Sequence, residues 1–452
     1  MTGQVTVVRG GHVLTMGPEG DLVGGAVAFA DGEIVVVGPF DEVIGRFPSA
    51  EVVGDSWGVV LPGLVNAHTH LSEALIPGMG EDLTLFEWLT RIVVPAGRHL
   101  TKEMARVGSM LKGAELLLSG VTTVNDMFCH TNMGSLASLG VVDGLETMGL
   151  RGVVAFGVDD IPDSHPLAVF FDEHEALAKR CAQSRLVGFR LGIGTVLGQS
   201  DELLAASVRA AAEHGWAVHT HLAEVREELV QARLRWGGST LERAAEVGLL
   251  DVPVIAAHCV WVGETDIRLL ADAGVTVVHN PVANMILASG ICPVPALRRA
   301  GIPVGLGTDG PASNDSQNML EAVKTAALLQ KVARLDARAL TAGDVLAMAT
   351  IEGARALGMD ALVGSLEPGK RADVLRLGGS RPGLANVHDP RQQVVYCASP
   401  ADVADVWVDG VHRVASGRLV GHDLAALVEA SRPLAAELVT RAGLSEYSHL
   451  AR

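Results

Sequence analysis

The stretch GVVLPGLVNAHTHL (residues 58–71) carries the reading of the whole chain. Its β-branched, apolar run asks to be buried, yet it ends in two histidines one residue apart, His68 and His70. In a strand, residues i and i+2 point to the same face, so the two imidazoles project together from the strand's carboxyl end. A partly exposed polar strand end would also accept such a pair. Paired neutral imidazoles bind a divalent metal well, and the rest of the chain decides between the two readings.

Short runs of the same texture recur between Val59 and Gly358. They are VVLPGLVNA (59–67), VTTVNDM (121–127), GVVAFGV (152–158), LVGFRLGIG (186–194), WAVHTHL (216–222), PVIAAHCV (253–260), VTVVHNP (275–281) and IPVGLGTDG (302–310). Segments of helical period follow them, such as DELLAASVRAAAEHG (201–215) and ETDIRLLADAG (264–274), several closing on glycine. Repeated strand–helix units with strands apolar on both faces predict an α/β fold, a distorted (β/α)8 TIM barrel. An open doubly wound sheet would call for G-x-G-x-x-G after the first strand, and none is there.

The flanks read differently. VTVVRGG (5–11), GAVAFADG (25–32) and EIVVVG (33–38) at one end, and ADVLRLGG (372–379), VVYCASP (394–400) and DVWVDGVHRVASGRLV (405–420) at the other, predict short strands. Two β-rich ends around one barrel predict a small β-sandwich built from both. The expected domains are 1–58 plus 366–452, with a helix near Leu424–Ala442, and a barrel over 59–365.

Composition narrows the class. With 452 residues, 48% of them hydrophobic, the chain can bury a large core. Fifty-two acids against 35 bases give a net charge of −17, which speaks against nucleic acid. The start, MTGQVTVVRGG, lacks the apolar core of a signal peptide, and no run of about 18 apolar residues exists to span a bilayer. Five scattered cysteines without C-x-x-C read as reduced-compartment usage, so a cytoplasmic protein is expected.

Metal-compatible side chains then fall at the ends of four runs: His68 and His70 on the first, His219 and His221 on the fifth, His258 on the sixth, Asp309 on the eighth. In a (β/α)8 barrel those ends share one mouth, where the chemistry sits. That convergence favours a site over an accident of sixteen histidines.

With LPGLVNAHTHL, GEDLTLFEWL (80–89), HTHLAE (219–224), AAHCV (256–260), HNPVANM (279–285) and GTDGPASND (307–315), the chain resembles the amidohydrolase superfamily. Within it the motifs are similar to the branch of adenosylhomocysteine/methylthioadenosine deaminases, guanine deaminases and triazine hydrolases. The resemblance implies one divalent metal per chain, zinc first and iron second, held by His68, His70, His221 and Asp309. It implies catalytic roles for Glu224, His258 and Asp309, and leaves His219 structural. A divalent ion makes hydroxide available at neutral pH by lowering the pKa of its water from ~15.7 to about 7. Asp309 would accept the proton, His258 would steady the developing oxygen, and Glu224 would protonate the ring nitrogen and the departing amine.

The expected activity is a hydrolase acting on C–N bonds of cyclic amidines: a deaminase of a purine, pterin, pyrimidine or triazine-like base or nucleoside. The alternatives are a chlorohydrolase or N-alkylaminohydrolase on a triazine-like ring, and an adenosylhomocysteine/methylthioadenosine deaminase. A non-catalytic scaffold would be expected to lose ligands, and none is lost. By resemblance Glu87 and Trp88 reach ribose hydroxyls, although Glu87 in water beside a packed Trp88 reads as well. Arg151 either meets a substrate carboxylate or is a solvent-facing turn arginine. His279 and Asn280 line the pocket, with helix capping open for Asn280. Two places differ from the nucleoside deaminases: Thr195 stands where they carry a histidine, and Ala283 and Ile286 replace serine and lysine. A free heterocycle thus stands level with a nucleoside. The partners implied are a small-molecule heterocycle and a second copy in a homodimer, with no nucleic acid and no membrane.

Overall fold

The computed structural model describes residues 4–449 except 162. By compactness the chain forms two units. One comprises the chain up to Ala67 together with Ala114–Thr123 and Asn318–Asp423; the other comprises His68–Gly113, Val124–Gln317 and the chain from Leu424 onward.

Eight parallel strands form one sheet, hydrogen-bonded in sequence order. They are β1 (Leu64–Thr69), β2 (Val121–Cys129), β3 (Arg151–Gly157), β4 (Val187–Thr195), β5 (Val218–Leu222), β6 (Val254–His258), β7 (Thr276–His279) and β8 (Val304–Leu306). β1 and β3 are buried at every position, as strands covered on both faces should be. At the mouth the Asp309 N–H donates to the His68 carbonyl at 3.0 Å, which brings the ends of β8 and β1 together. The expected (β/α)8 barrel is what forms. Helices Ser138–Met148 and Asp201–His214 stop on Gly149 and Gly215 at φ 68° and 65°, left-handed positions that suit glycine.

The run 59–67 is two strands rather than one. Val59–Pro62 belongs to a seven-stranded sheet made by both chain ends, in which it pairs with Val374–Leu377. The chain turns at Gly63, where a Cβ would stand 2.1 Å from the Thr122 side chain. A four-stranded sheet of N-terminal strands packs on the seven-stranded one through Val8, Val27, Phe29, Val60, Val374 and Trp407, and the Phe29 and Trp407 rings meet edge-on at 5.9 Å. One flanking expectation fails: VVYC (394–397) is the end of the helix Pro390–Cys397. Proline at the first helical position and the Asp389 carboxylate accepting the N–H groups of Arg391 and Gln392 outweigh the β-branched pair. Among the described residues no helix is long and apolar enough to cross a membrane.

Candidate active site

His68, His70, His221, His258 and Asp309 meet at the carboxyl ends of β1, β5, β6 and β8, all buried or nearly so. Asp309 Oδ1 lies 3.2 Å from His68 Nε2 and 3.3 Å from His70 Nε2. His70 Nε2 and His221 Nε2 are 3.0 Å apart. Ligand atoms of His68, His70 and His221, and separately of His68, His258 and Asp309, fall within 4.8 Å of one another.

For His70 and His221 the far side of the ring fixes which nitrogen bears a proton. His70 Nδ1 is 2.7 Å from the Met127 carbonyl, and His221 Nδ1 is 2.7 Å from the Gly194 carbonyl. A carbonyl only accepts, so both Nδ1 atoms carry a proton, and in the neutral ring each Nε2 then presents a lone pair. Two lone pairs facing each other at 3.0 Å, beside a carboxylate, are an arrangement a cation relieves. The donor set of imidazole nitrogens and one carboxylate suits a divalent transition metal. Burial first, then the neighbouring imidazoles, hold His68 well below the usual histidine range. Burial likewise brings His221 down to about 4. For His68 and His221 this favours the neutral ring that metal ligation requires. His219 touches this set directly, with its Nε2 2.8 Å from His68 Nδ1 and its Nδ1 3.2 Å from Asn125 Nδ2.

Beside the donors stand a carboxyl and an imidazole. Glu224 Oε2 is 3.6 Å from His258 Nε2, and Glu224 Oε1 accepts from the Ser289 hydroxyl at 3.3 Å. Burial, and then repulsion from Asp309, raise the Glu224 carboxyl well above the usual range, which favours its protonated form. His258 Nδ1 accepts from the Asn284 side-chain amide at 2.9 Å, so its proton sits on Nε2, 3.9 Å from Asp309 Oδ2. The backbone is strained here: Ala223, His258, Cys259 and Asp309 have φ of 50°, 71°, 46° and 66°. Such non-glycine positions cluster where a site over-determines its own geometry.

The residues singled out for substrate divide. Thr195 ends β4 at the mouth, but its hydroxyl accepts from the Gly198 N–H at 2.8 Å and its own N–H donates to Asp159 Oδ1 at 2.9 Å. Asn280 makes no side-chain cap to the helix Pro281–Ile286; its amide lies 3.4 Å from His258 Nδ1. His279 is fully buried, pushed down to about 3, and both its ring nitrogens lack a hydrogen-bond partner among the described residues. Glu87 is 47% exposed and serves its own helix, accepting from the Thr84 hydroxyl at 2.9 Å and lying 3.5 Å from Arg91, while Trp88 is buried. Arg151 is not brought to the mouth. It opens β3 at the amino end and is buried, which fits neither a substrate contact nor a solvent-facing turn.

Four residues the motifs did not flag complete the surroundings. Asn284 orients His258, and Ser289 contacts Glu224. Asp126 accepts the Leu71 N–H at 2.6 Å, and the Glu73 carboxyl accepts the Ala312 N–H at 3.1 Å, which pins the turns after β1 and β8. Asn284 had one legible signal, its place four residues after Asn280, the residue that leads into its helix.

Residues 59–413 match the model of the amidohydrolase family. A 5-methylthioadenosine/S-adenosylhomocysteine deaminase of Desulforudis audaxviator is 40% identical over 422 residues, 92% of this chain and 94% of that protein. A 5′-deoxyadenosine deaminase of Methanothermobacter thermautotrophicus is 36% identical over 433 residues, covering 94% and 98%. An adenosine deaminase from Xanthomonas campestris, solved with bound zinc, superposes with a TM-score of 0.90 at 32% identity, covering 96% of this chain and 98% of that one. A barrel with histidine pairs at two strand ends, an aspartate at the eighth, and this breadth of similarity have one reading: the chain belongs to the amidohydrolase family.

Proposed function

We propose that this protein is a metal-dependent aminohydrolase that replaces the amino group of a nitrogen heterocycle with oxygen and releases ammonia. The observation that carries the reading is the gathering of His68, His70, His221 and Asp309 at one mouth, with the buried Glu224 carboxyl 3.6 Å from the His258 imidazole beside them. His68, His70, His221 and Asp309 would hold the ion. Zinc is the metal we favour, since the Xanthomonas neighbour was solved with it. When bound, the ion supplies a nucleophilic hydroxide at neutral pH.

The side chains do the rest. Asp309, whose Oδ2 faces His258 at 3.9 Å, takes the proton of the attacking water. The His258 Nε2–H donates to the oxygen as charge develops on it. Glu224, kept neutral by its burial, gives its proton to the ring nitrogen next to the attacked carbon. The amine then leaves as ammonia on the proton that Asp309 holds, while the hydroxyl proton left on the adduct's oxygen returns to Glu224 as the carbonyl forms. An acid held by burial beside a base held by the donor cluster is the division of labour that amidine hydrolysis needs.

For the substrate we favour adenosine-type nucleosides, because relatives covering more than nine-tenths of this chain are named for them. A second reading, a free heterocycle, is favoured by Thr195, whose hydroxyl is already engaged with Gly198. The five cysteines are all free, which suits a cytoplasmic setting. Ammonia release should be measured over 5′-deoxyadenosine, 5′-methylthioadenosine, S-adenosylhomocysteine, guanine and an aminotriazine. Release from the nucleosides is the expected result. Release from the free rings alone selects the second reading, and release from none overturns the proposal.

A further inference from the structure

Glu224 does not hold its place by its own contacts alone. Glu228 lies on the next helix, Arg226–Trp236, and is buried. Its two carboxylate oxygens accept consecutive backbone N–H groups, those of Ala223 and of Glu224 itself, at 2.8 Å each. An ordinary cap would serve the first turn of its own helix. This carboxylate reaches back past the helix start to the strand-end turn that carries the proton donor.

The same turn is gripped from its other side. Ala223 has φ 50°, a left-handed conformation that a β-carbon disfavours. Its carbonyl accepts from the N–H groups of Val260 at 3.0 Å and Trp261 at 2.9 Å. The Trp261 indole N–H donates to the Ser289 carbonyl at 2.7 Å, and the Ser289 hydroxyl returns to Glu224 Oε1 at 3.3 Å. Glu228, the Ala223 peptide, Trp261 and Ser289 thus close a ring of hydrogen bonds around the Glu224 carboxyl.

We propose that Glu228 is a positioning residue for Glu224, holding the strained Ala223–Glu224 turn so that the proton donor faces His258 and the reacting ring. The inference rests on the reading of Glu224 as that donor. It requires no contact between Glu228 and substrate. Its mark is loss of turnover without loss of binding, since misplacing a reacting group by about 1 Å can cost on the order of 100-fold in rate.

Glu228→Gln keeps the shape and one acceptor oxygen but sets an amide N–H against one of the two backbone donors. Using the substrate that the ammonia-release assay ranks first, we expect kcat to fall roughly 30- to 100-fold while KM stays within threefold and metal content is unchanged. The limb of the kcat–pH profile that reports the proton donor should shift as well. A crystal structure of Glu228→Gln needs no substrate and should show the Glu224 carboxyl displaced from Ser289 and His258. Wild-type kcat, a loss confined to KM or metal content, or an undisplaced Glu224 would each overturn the brace. Glu224→Gln separates the two levels. If it releases ammonia at the wild-type rate, the donor reading fails; if it is inactive while Glu228→Gln is normal, only the brace fails.

Discussion

Asn284→Leu removes the shorter of the two amide contacts that keep the proton of His258 off Nδ1. In the native chain the Asn284 amide donates to His258 Nδ1 at 2.9 Å, which leaves the N–H on Nε2, turned toward Glu224 Oε2 at 3.6 Å and Asp309 Oδ2 at 3.9 Å. Leucine has nearly the same volume and donates nothing. The Asn280 amide, at 3.4 Å, is too distant to take over fully. Losing a buried hydrogen bond and leaving its acceptor unsatisfied costs about 1–2 kcal/mol, and part of the His258 population then moves its proton to Nδ1 and loses the donor at the site. At about 1.4 kcal/mol per tenfold, kcat should fall roughly 5- to 30-fold. Among the described residues Asn284 is hydrogen-bonded to none of His68, His70, His221 and Asp309, the residues proposed to hold the ion, so KM and metal content should stay near native. Steady-state ammonia release with metal analysis of the same preparation reads all three. A kcat within twofold of native, or a loss that tracks departing metal, refutes the orientation argument.

Two further predictions follow from single contacts. His219 stands 2.8 Å behind His68, so His219→Phe should weaken metal binding by about 10- to 100-fold in competition with a fluorescent chelator while the fold persists; unchanged affinity would make His219 a bystander. His174 is buried among Phe156, Phe171 and Phe189, with neither ring nitrogen hydrogen-bonded among the described residues, and burial pushes it down to about 4. Its folded pKa lies below the ordinary value near 6.5, so the unfolded chain takes the proton first and stability is lost as pH falls from about 6.5 toward 4. His174→Phe should therefore lose about 2 kcal/mol less than wild type between pH 7 and pH 5 in urea unfolding; equal losses would contradict it.

Period and position made much of the site legible. The i, i+2 rule puts His68 and His70 on one face, and the rule that chemistry sits at barrel strand ends gathers His221, His258 and Asp309 with them. Arg151 fails by the same rule: in GLRGVVAFG it stands at the start of its run, the amino end, and only the likeness to other sequences drew it toward substrate. Glu87 shows the other limit, since Thr84 three residues earlier makes a capping box, a local use that competes with any distant one. Asn284, Ser289 and Glu228 could not be assigned because their contacts depend on left-handed turns at Ala223 and His258, and nothing in HTHLAE or AAHCV announces a positive φ without a glycine.

Anomalous diffraction at the metal edge, on crystals of the protein as purified, reaches the core of the account most directly. The prediction is a single peak between Nε2 of His68, His70 and His221 and the carboxylate of Asp309, with each ligand at about 2.0–2.2 Å if the ion is zinc. No peak there in a chain of intact fold, or an ion held by a different set of residues, would contradict it.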